Sequence, residues 1–584
     1  MTPQPHPVPD QHGVNLYRSD PELDALLALY LPADLLAHLR PHLDRLGALA
    51  GGALDALAGV ADKHPPTLQQ RNRRGMDAQR IDKHPAYVEL ERVAFSDYGL
   101  AAMSHRAGVL GWDAPMPPAA KYALTYLFVQ AEFGVCCPLS MTDSLARTLR
   151  KFGDDALIKR YLHGLTTQVF DDLQQGAMFM TEQAGGSDVA ATLTRAVPVV
   201  DAVVDAAVDA DTAADPATAD GAYLLHGDKW FCSNPDAGLA MVLARIDGAP
   251  AGMAGVSLFL LPRTLSDGSH NAYRILRLKD KLGTRSMASG EIRLEGARAW
   301  LVGQAGRGFQ QMADMVNNSR LSNGMRAAGL MRRACSEAFF VARERQAFGQ
   351  RLIDMPLMRR QLLKLLLPAE QARTMLFQTA EALRRADAGE AAAQPLVRIL
   401  TPLIKFRACR DARKVTGDAM EVRGGCGYIE EWSDARLLRD AHLGSIWEGT
   451  SNIVALDVLR AISRDAALPV LTQHLRELLT GAALPAAQHA LFEATTARVL
   501  QRAAEVAAAG RDGQVHARQV ASALYHVTTA TAMAWEAQQM ASARRRALAQ
   551  AALIYRVLPR DPLADEAAQG AIDLSAWLQV PAVC

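Results

Sequence analysis

The chain has 584 residues, too many for a single hydrophobic core, so several packed units are expected. Hydrophobic residues make up 49% and charged residues 21%, which excludes a disordered or fibrous chain. With 63 basic and 62 acidic side chains the formal charge is +1, so no global field draws in nucleic acid or an anionic membrane.

The opening Met-Thr-Pro-Gln-Pro-His-Pro has no basic and then apolar leader, and no stretch reaches the roughly 18 uninterrupted apolar residues of a membrane span. A soluble, cytoplasmic protein is expected. Residues 20–165 read mostly as helices, with apolar residues at three- and four-residue spacing over 23–46 and 121–133. From about Ala177 to Val302 short β-rich runs appear, such as 256–261 and 291–294, between Gly, Asp, Asn and Pro clusters. Helical periodicity returns at Gly308 and runs to about Ile462, and residues 465–584 are Ala-rich and helical in character. The expected fold class is mainly α with a central β-domain. Its expected division is a helical domain over 1–176, a β-domain over 177–302, a helical bundle over 303–464 and a helical extension over 465–584. Strands do not alternate with helices, which excludes a parallel βαβ nucleotide fold.

Residues 197–222 are low in complexity, with six aspartates and no basic residue, and read as a solvated mobile loop extending a hairpin. The spacing of those aspartates is not that of a calcium loop. Seven cysteines, at 136, 137, 232, 335, 409, 426 and 584, lack framework or metal spacing and read as free thiols in a reducing compartment. No metal site is expected.

Three stretches could carry chemistry. In Met180-Thr181-Glu182-Gln183-Ala184-Gly185-Gly186-Ser187-Asp188, two glycines and a hydroxyl would let backbone amides approach an anion, although the same residues make an ordinary turn. In the strand-like run 227–234, alternation sets Phe231 and Ser233 on one face and Trp230 and Cys232 on the other. That pair could stack on and hydrogen-bond a planar cofactor, or be a plain strand with a core aromatic. The third stretch joins Gly424, Gly425 and Gly427 to Trp447-Glu448-Gly449-Thr450-Ser451-Asn452. Glu448 has no basic residue within four positions, so burial would make it a proton acceptor near neutrality; alone it also reads as a helix-end carboxylate.

In this order and spacing the three stretches, with "DKLGTRSMAS" at 280–289 and "RERQAFGQRL" at 343–352, resemble the acyl-CoA dehydrogenase family over roughly residues 90–460. "RNRRGMDAQRIDKHP", "CPLSMT" and the C-terminal extension resemble its AidB-like branch, flavoproteins of the adaptive response to DNA alkylation. The resemblance implies a helical domain, a β-barrel-like domain and a four-helix bundle, assembled as a homotetramer with FAD as cofactor. It puts Met180 and Thr181 at the flavin pyrimidine edge and Ser187 at the pyrophosphate. Phe231 stands in place of a tryptophan over the ring and Ser233 in place of a threonine near N5. Arg345, Phe348, Gly424 and Gly425 fall on the adenine-side phosphates, and Thr450 and Asn452 on the loop touching FAD. Trp447, Ser451 and Arg320 fall at the substrate pocket. Glu448 falls where the base takes the α-proton of an acyl-CoA thioester while the β-hydride passes to flavin N5.

Three departures bear on that picture. Trp447 replaces the usual tyrosine before the base, which narrows the acyl pocket and implies a restricted set of acyl-CoAs. Glu421 and Pro356 stand where many members carry cofactor-binding glutamines. The branch also implies a competing function: a DNA-associated protective flavoprotein with weak or vestigial dehydrogenase activity, meeting double-stranded DNA through its C-terminal extension. Residues 465–584 hold ten arginines against ten acids, so phosphate neutralisation would need arginines gathered on one face. The one dense run, Arg544-Arg545-Arg546, reads first as a solvated helix face.

Overall fold

The computed structural model describes residues 7–199, 221–559 and 563. They form two compact units, one drawn from Met1–Gly59, Met116–Phe133 and Arg320–Cys584, the other from Val60–Pro115 and Gly134–Ser319. The fold is mainly α with a central sheet, as the sequence led us to expect.

The second unit is built around seven strands: β3 (Gly176–Phe179), β4 (Arg195–Pro198), β5 (Ala222–Ser233), β6 (Leu239–Ile246), β7 (Val256–Pro262), β8 (Tyr273–Leu278) and β9 (Ser289–Leu301), numbered after a short hairpin of β1 (Thr67–Arg71) and β2 (Asp77–Asp82). β5 pairs antiparallel with β4 and β9, β9 with β7, β7 with β6, and β6 runs parallel to β4. These pairings close a ring, which leaves its members no long open edge. Phe179, Leu225, Cys232, Val242, Phe259 and Ile292 fill the interior. Burying such side chains stabilises by about 1.5–3 kcal/mol each. β4 and β5 pair up to Pro198 opposite Tyr223, and the expected acidic loop between them, residues 200–220, lies outside the described residues.

The β1–β2 hairpin corrects the helical reading of its segment. Asn72 accepts from the amides of Arg74 and Met76 at 2.9 and 3.2 Å, and Gly75 takes a left-handed φ of +79°. This is turn chemistry that favours glycine. Ile81 and Leu68 then pack on the barrel core.

In the first unit the helix Ala393–Arg423 packs against Pro356–Asp387, Ser433–Gly444, Ser451–Arg464 and Ala517–Gln539. The long helix Gly308–Glu344 contributes residues 320–344 here, and Gly324 lets it approach closely: a Cβ there would lie 2.6 Å from Ile404 Cγ1. The C-terminal helices Ala467–Gly481, Ala486–Ala508 and Ala543–Arg556 pack on Ala517–Gln539.

One expectation for this region is overturned. Arg544-Arg545-Arg546 is not a solvated face, because Arg545 is fully buried between Glu536, at 2.5 Å, and Glu370, at 3.2 Å. Arg544 bonds to Glu22 and lies 3.4 Å from Glu370, and Arg373 joins Glu370 to Asp20. Burial pushes the Glu370 carboxyl up, but the surrounding guanidinium groups outweigh it and hold it well below the usual range.

Candidate active site

The 180–188 stretch is tied to the barrel by Glu182. Lys229, fully buried on β5, donates to Glu182 Oε1 at 2.6 Å, as does Thr194 Oγ1 at 2.6 Å, while the Leu193 amide donates to Oε2 at 2.7 Å. Burial raises the Glu182 carboxyl, and the Lys229 ammonium and these hydrogen bonds more than reverse that. The Trp230 amide donates to Thr181 O at 2.8 Å, which sets Thr181 beside β5. Gly185 closes the turn, with no room for a Cβ that would lie 2.6 Å from Asp188 O. Met180 and Thr181 are half-buried, and Gly186, Ser187 and Asp188 stand exposed beyond the turn.

Along β5 the register slips between Lys229 and Cys232, a bulge that interrupts simple alternation. Cys232 enters the core, Phe231 is 56% exposed, and Ser233 is half-buried two residues on. Lys279 Nζ lies 4.5 Å from the Phe231 ring centroid. An exposed aromatic with a hydroxyl beside it is the arrangement a planar cofactor needs.

In the helical unit, Glu448 sits in the turn before the helix Ser451–Arg464 with a left-handed φ of +54°. Such a conformation costs a non-glycine residue of order 1–3 kcal/mol and persists only where its surroundings over-determine it. They do so here. Arg320 Nε donates to Glu448 O at 3.2 Å, and its Nη1 is anchored on Asp457 at 2.7 Å. Lys405, buried, donates to Trp447 O at 2.9 Å and also to Gly444 O. Burial pulls the Lys405 ammonium below the ordinary lysine range. Asn323 Nδ2 donates to the Glu448 carboxylate at Oε2. Trp447 stacks on Phe133 with centroids 6.0 Å apart. Ser451 accepts from Arg410 Nη1 at 3.3 Å, and Thr450 and Asn452 are exposed at the helix start.

Arg345, Phe348, Gly424 and Gly425 divide. Arg345 Nη1 donates to Arg423 O at 3.0 Å, which brings it to Gly424, whose φ of +74° is one glycine adopts freely. Gly425 is exposed next to it, while Phe348 projects from the tip of the hairpin 346–351 and is 96% exposed.

Sequence reasoning missed Asn323, Lys405 and Asp457, the residues that hold Glu448 and its backbone. The spacing of Arg320, Asn323 and Arg326, three apart on one helix, was the available signal.

Three family models match the chain: the adaptive response protein AidB N-terminal domain over 7–172, and the acyl-CoA dehydrogenase middle and C-terminal domains over 177–297 and 306–463. AidB of Escherichia coli (strain K12) is 34% identical over 480 residues, 79% of this chain and 80% of that protein. Acyl-CoA dehydrogenase family member 11 of Caenorhabditis elegans is 31% identical over 463 residues, 77% of this chain and 71% of its own. The crystal structure of Caenorhabditis elegans ACDH-11 in complex with C11-CoA superposes with a TM-score of 0.83 at 26% identity, covering 96% of this chain and 94% of that one. Helical elements and a closed barrel carrying these motifs define a flavin-type acyl-CoA dehydrogenase, and the chain belongs to the acyl-CoA dehydrogenase family. Within it, the N-terminal region is of the AidB type.

Members of the family are FAD-dependent oxidoreductases, and the residues present fit that cofactor. The exposed Phe231 ring suits the flavin plane, and the exposed backbone of 186–188 beyond a rigidly tethered turn suits a pyrophosphate. No helix among the described residues is long and apolar enough to cross a membrane.

Proposed function

We propose that this chain oxidises acyl-CoA thioesters, with Glu448 removing the substrate α-proton. The observation that carries the reading is the left-handed Glu448 backbone, pinned through Arg320 and Lys405, with Asn323 on its carboxylate. A carboxylate held at a fixed position is what proton abstraction next to a carbonyl requires. FAD, when bound, accepts the β-hydride of the substrate. Met180, Thr181, Phe231 and Ser233 would orient the flavin, and Ser187 would donate to its pyrophosphate. Arg345, Phe348, Gly424 and Gly425 would meet adenine-side phosphates in a homotetramer, and Thr450 and Asn452 would flank the cofactor. Arg320, Ser451 and Trp447 would line the substrate pocket, with the Trp447–Phe133 stack restricting the acyl groups admitted. C11-CoA bound to the Caenorhabditis elegans relative supports a CoA thioester as the substrate class.

The test is bleaching of the bound flavin by a panel of acyl-CoAs. A placed base is worth about 10²–10⁴ in rate. Glu448→Gln should therefore keep its yellow colour and its fold while losing reduction; normal reduction in that variant overturns the reading.

A second reading, a DNA-associated protective flavoprotein with vestigial activity, comes from the AidB-type resemblance, but the arginine run 544–546 does not serve it, since Arg544 and Arg545 are held in ion pairs. What favours it now is a cleft where Arg360, Lys364, Arg410, Arg413, Lys414 and Arg556 outnumber the acids Asp411, Asp418 and Glu421. Salt-dependent duplex binding, lost when two of these are replaced by glutamine, would support it; binding that ignores both salt and those substitutions would dismiss it.

A further inference from the structure

Asn323 and Arg326 are one turn apart on the helix Gly308–Glu344, and both turn toward the Trp447–Glu448 segment. Arg326 is fully buried. Its Nε donates to Ser322 O at 3.3 Å, within its own helix, yet Nη1 and Nη2 have no hydrogen-bond partner among the described residues. Asn323 Oδ1 and Trp447 Nε1 are likewise buried atoms without a hydrogen-bond partner among the described residues. The guanidinium carbon lies 4.8 Å from the Trp447 ring centroid and 5.4 Å from that of Phe133.

A guanidinium is always charged, and burying one without a partner is costly. The two rings offset part of that cost through cation–π attraction but leave the terminal N–H groups unsatisfied. Those groups form a planar fork that matches a carboxylate in a bidentate manner. Lys405 cannot take that role, because it is engaged on two backbone carbonyls.

We propose that Arg326 is a specificity-determining residue that receives a carboxylate at the far end of the acyl group. The substrates of this chain are then short acyl-CoAs with an acidic tail: dicarboxylic acids bearing a thioester at one end. This rests on Glu448 as the base at the other end of the same acyl group. Asn323, one turn before Arg326 on the same helix, holds Glu448 through Nδ2 and so sets the spacing between the two ends. Trp447 keeps the acyl segment short by stacking on Phe133, and its Nε1–H is a further donor for the tail.

The test compares two five-carbon thioesters, the pentanedioic acid mono-thioester of coenzyme A and pentanoyl-CoA, on the FAD-loaded protein. Dissociation constants are measured in the Glu448→Gln background, where turnover does not interfere. The dicarboxylic ligand should bind at least about tenfold more tightly, the worth of a charge-assisted hydrogen bond. Arg326→Met should abolish that preference, and Arg326→Lys should retain part of it. Should Arg326→Met fold poorly, the wild-type preference and the Arg326→Lys ratio still decide. Equal binding of the two ligands, or a preference that survives Arg326→Met, overturns the proposal. Preference in binding without flavin reduction in the wild type would leave Arg326 assigned and refute Glu448 as base. Reduction by pentanoyl-CoA as fast as by the dicarboxylic thioester would do the reverse.

Discussion

Asn323 donates its side-chain N–H to the carboxylate of Glu448, across 125 residues of sequence. Asn323 is therefore a positioning residue for the proposed base. Hydrogen bonds to charged groups are worth about 1.5–3 kcal/mol. Asn323→Ala should lower kcat by about tenfold or more and move KM less, because the pocket survives and only the aim of the carboxylate is lost. Stopped-flow flavin reduction measures this, and an unchanged reduction rate would show that Asn323 is structural.

Trp447 stacks on Phe133 and lies beside Arg326. Trp447→Tyr removes ring area from the proposed pocket while keeping an aromatic partner. Longer acyl-CoAs should then gain about tenfold in kcat/KM relative to short ones. A chain-length profile identical to the wild type would contradict a pocket limited by Trp447.

Arg545 and Arg546 are sequence neighbours with opposite fates. Arg545 is fully buried between two carboxylates, whereas Arg546 is half-buried and meets Gln538 at 2.8 Å. Removing one partner of a buried pair costs about 3–5 kcal/mol. Arg545→Ala should unfold at markedly lower denaturant, while Arg546→Ala should stay within about 0.5 kcal/mol of wild type. Equal midpoints for the two would refute the network.

Burial pulls His526 down to about 3 and His474 down to about 4, from an ordinary 6.5. The unfolded chain thus binds protons more readily than the folded one below pH 6.5. Stability is full above that value and falls as pH drops toward the folded values, by up to about 1.4 kcal/mol per pH unit for each histidine. His526→Gln should flatten this slope in urea melts taken at successive pH values. A slope equal to wild type would mean that His526 is protonated in the fold.

Cys136, Cys137, Cys232, Cys335 and Cys409 are buried, and burial raises the Cys335 thiol to about 12; Cys426 alone among the described cysteines is partly exposed. A thiol reagent at mildly alkaline pH should modify Cys426 at least about tenfold faster than those five. Loss of rapid labelling in Cys426→Ser checks the assignment, and retained rapid labelling at a buried position refutes it.

Family and cofactor class were legible, and a base could be proposed, because they rest on local chemistry. Gly185-Gly186-Ser187, Gly424-Gly425 and Trp447-Glu448-Gly449 are short segments whose backbone needs are written in consecutive residues. The order helix, strand, helix was legible for the same reason, since periodicity is a property of neighbours. The β1–β2 hairpin escaped because its strands are polar and short, and only Ile81 marks the face that meets the core.

Glu448 as a carboxylate in a glycine-flanked turn, and FAD as the cofactor to expect, were settled by the sequence. What surrounds that carboxylate was decided by tertiary structure alone. Asn323 reaches it, and Arg320 and Lys405 hold the backbone carbonyls of Glu448 and Trp447, from helices distant in sequence, and pairing across such distances leaves no local pattern. The same holds for Arg545, whose charge looks solvated in sequence and proves buried because Glu370 and Glu536 come from two other helices. Burial and partnership depend on which faces pack together, and only the folded chain specifies that.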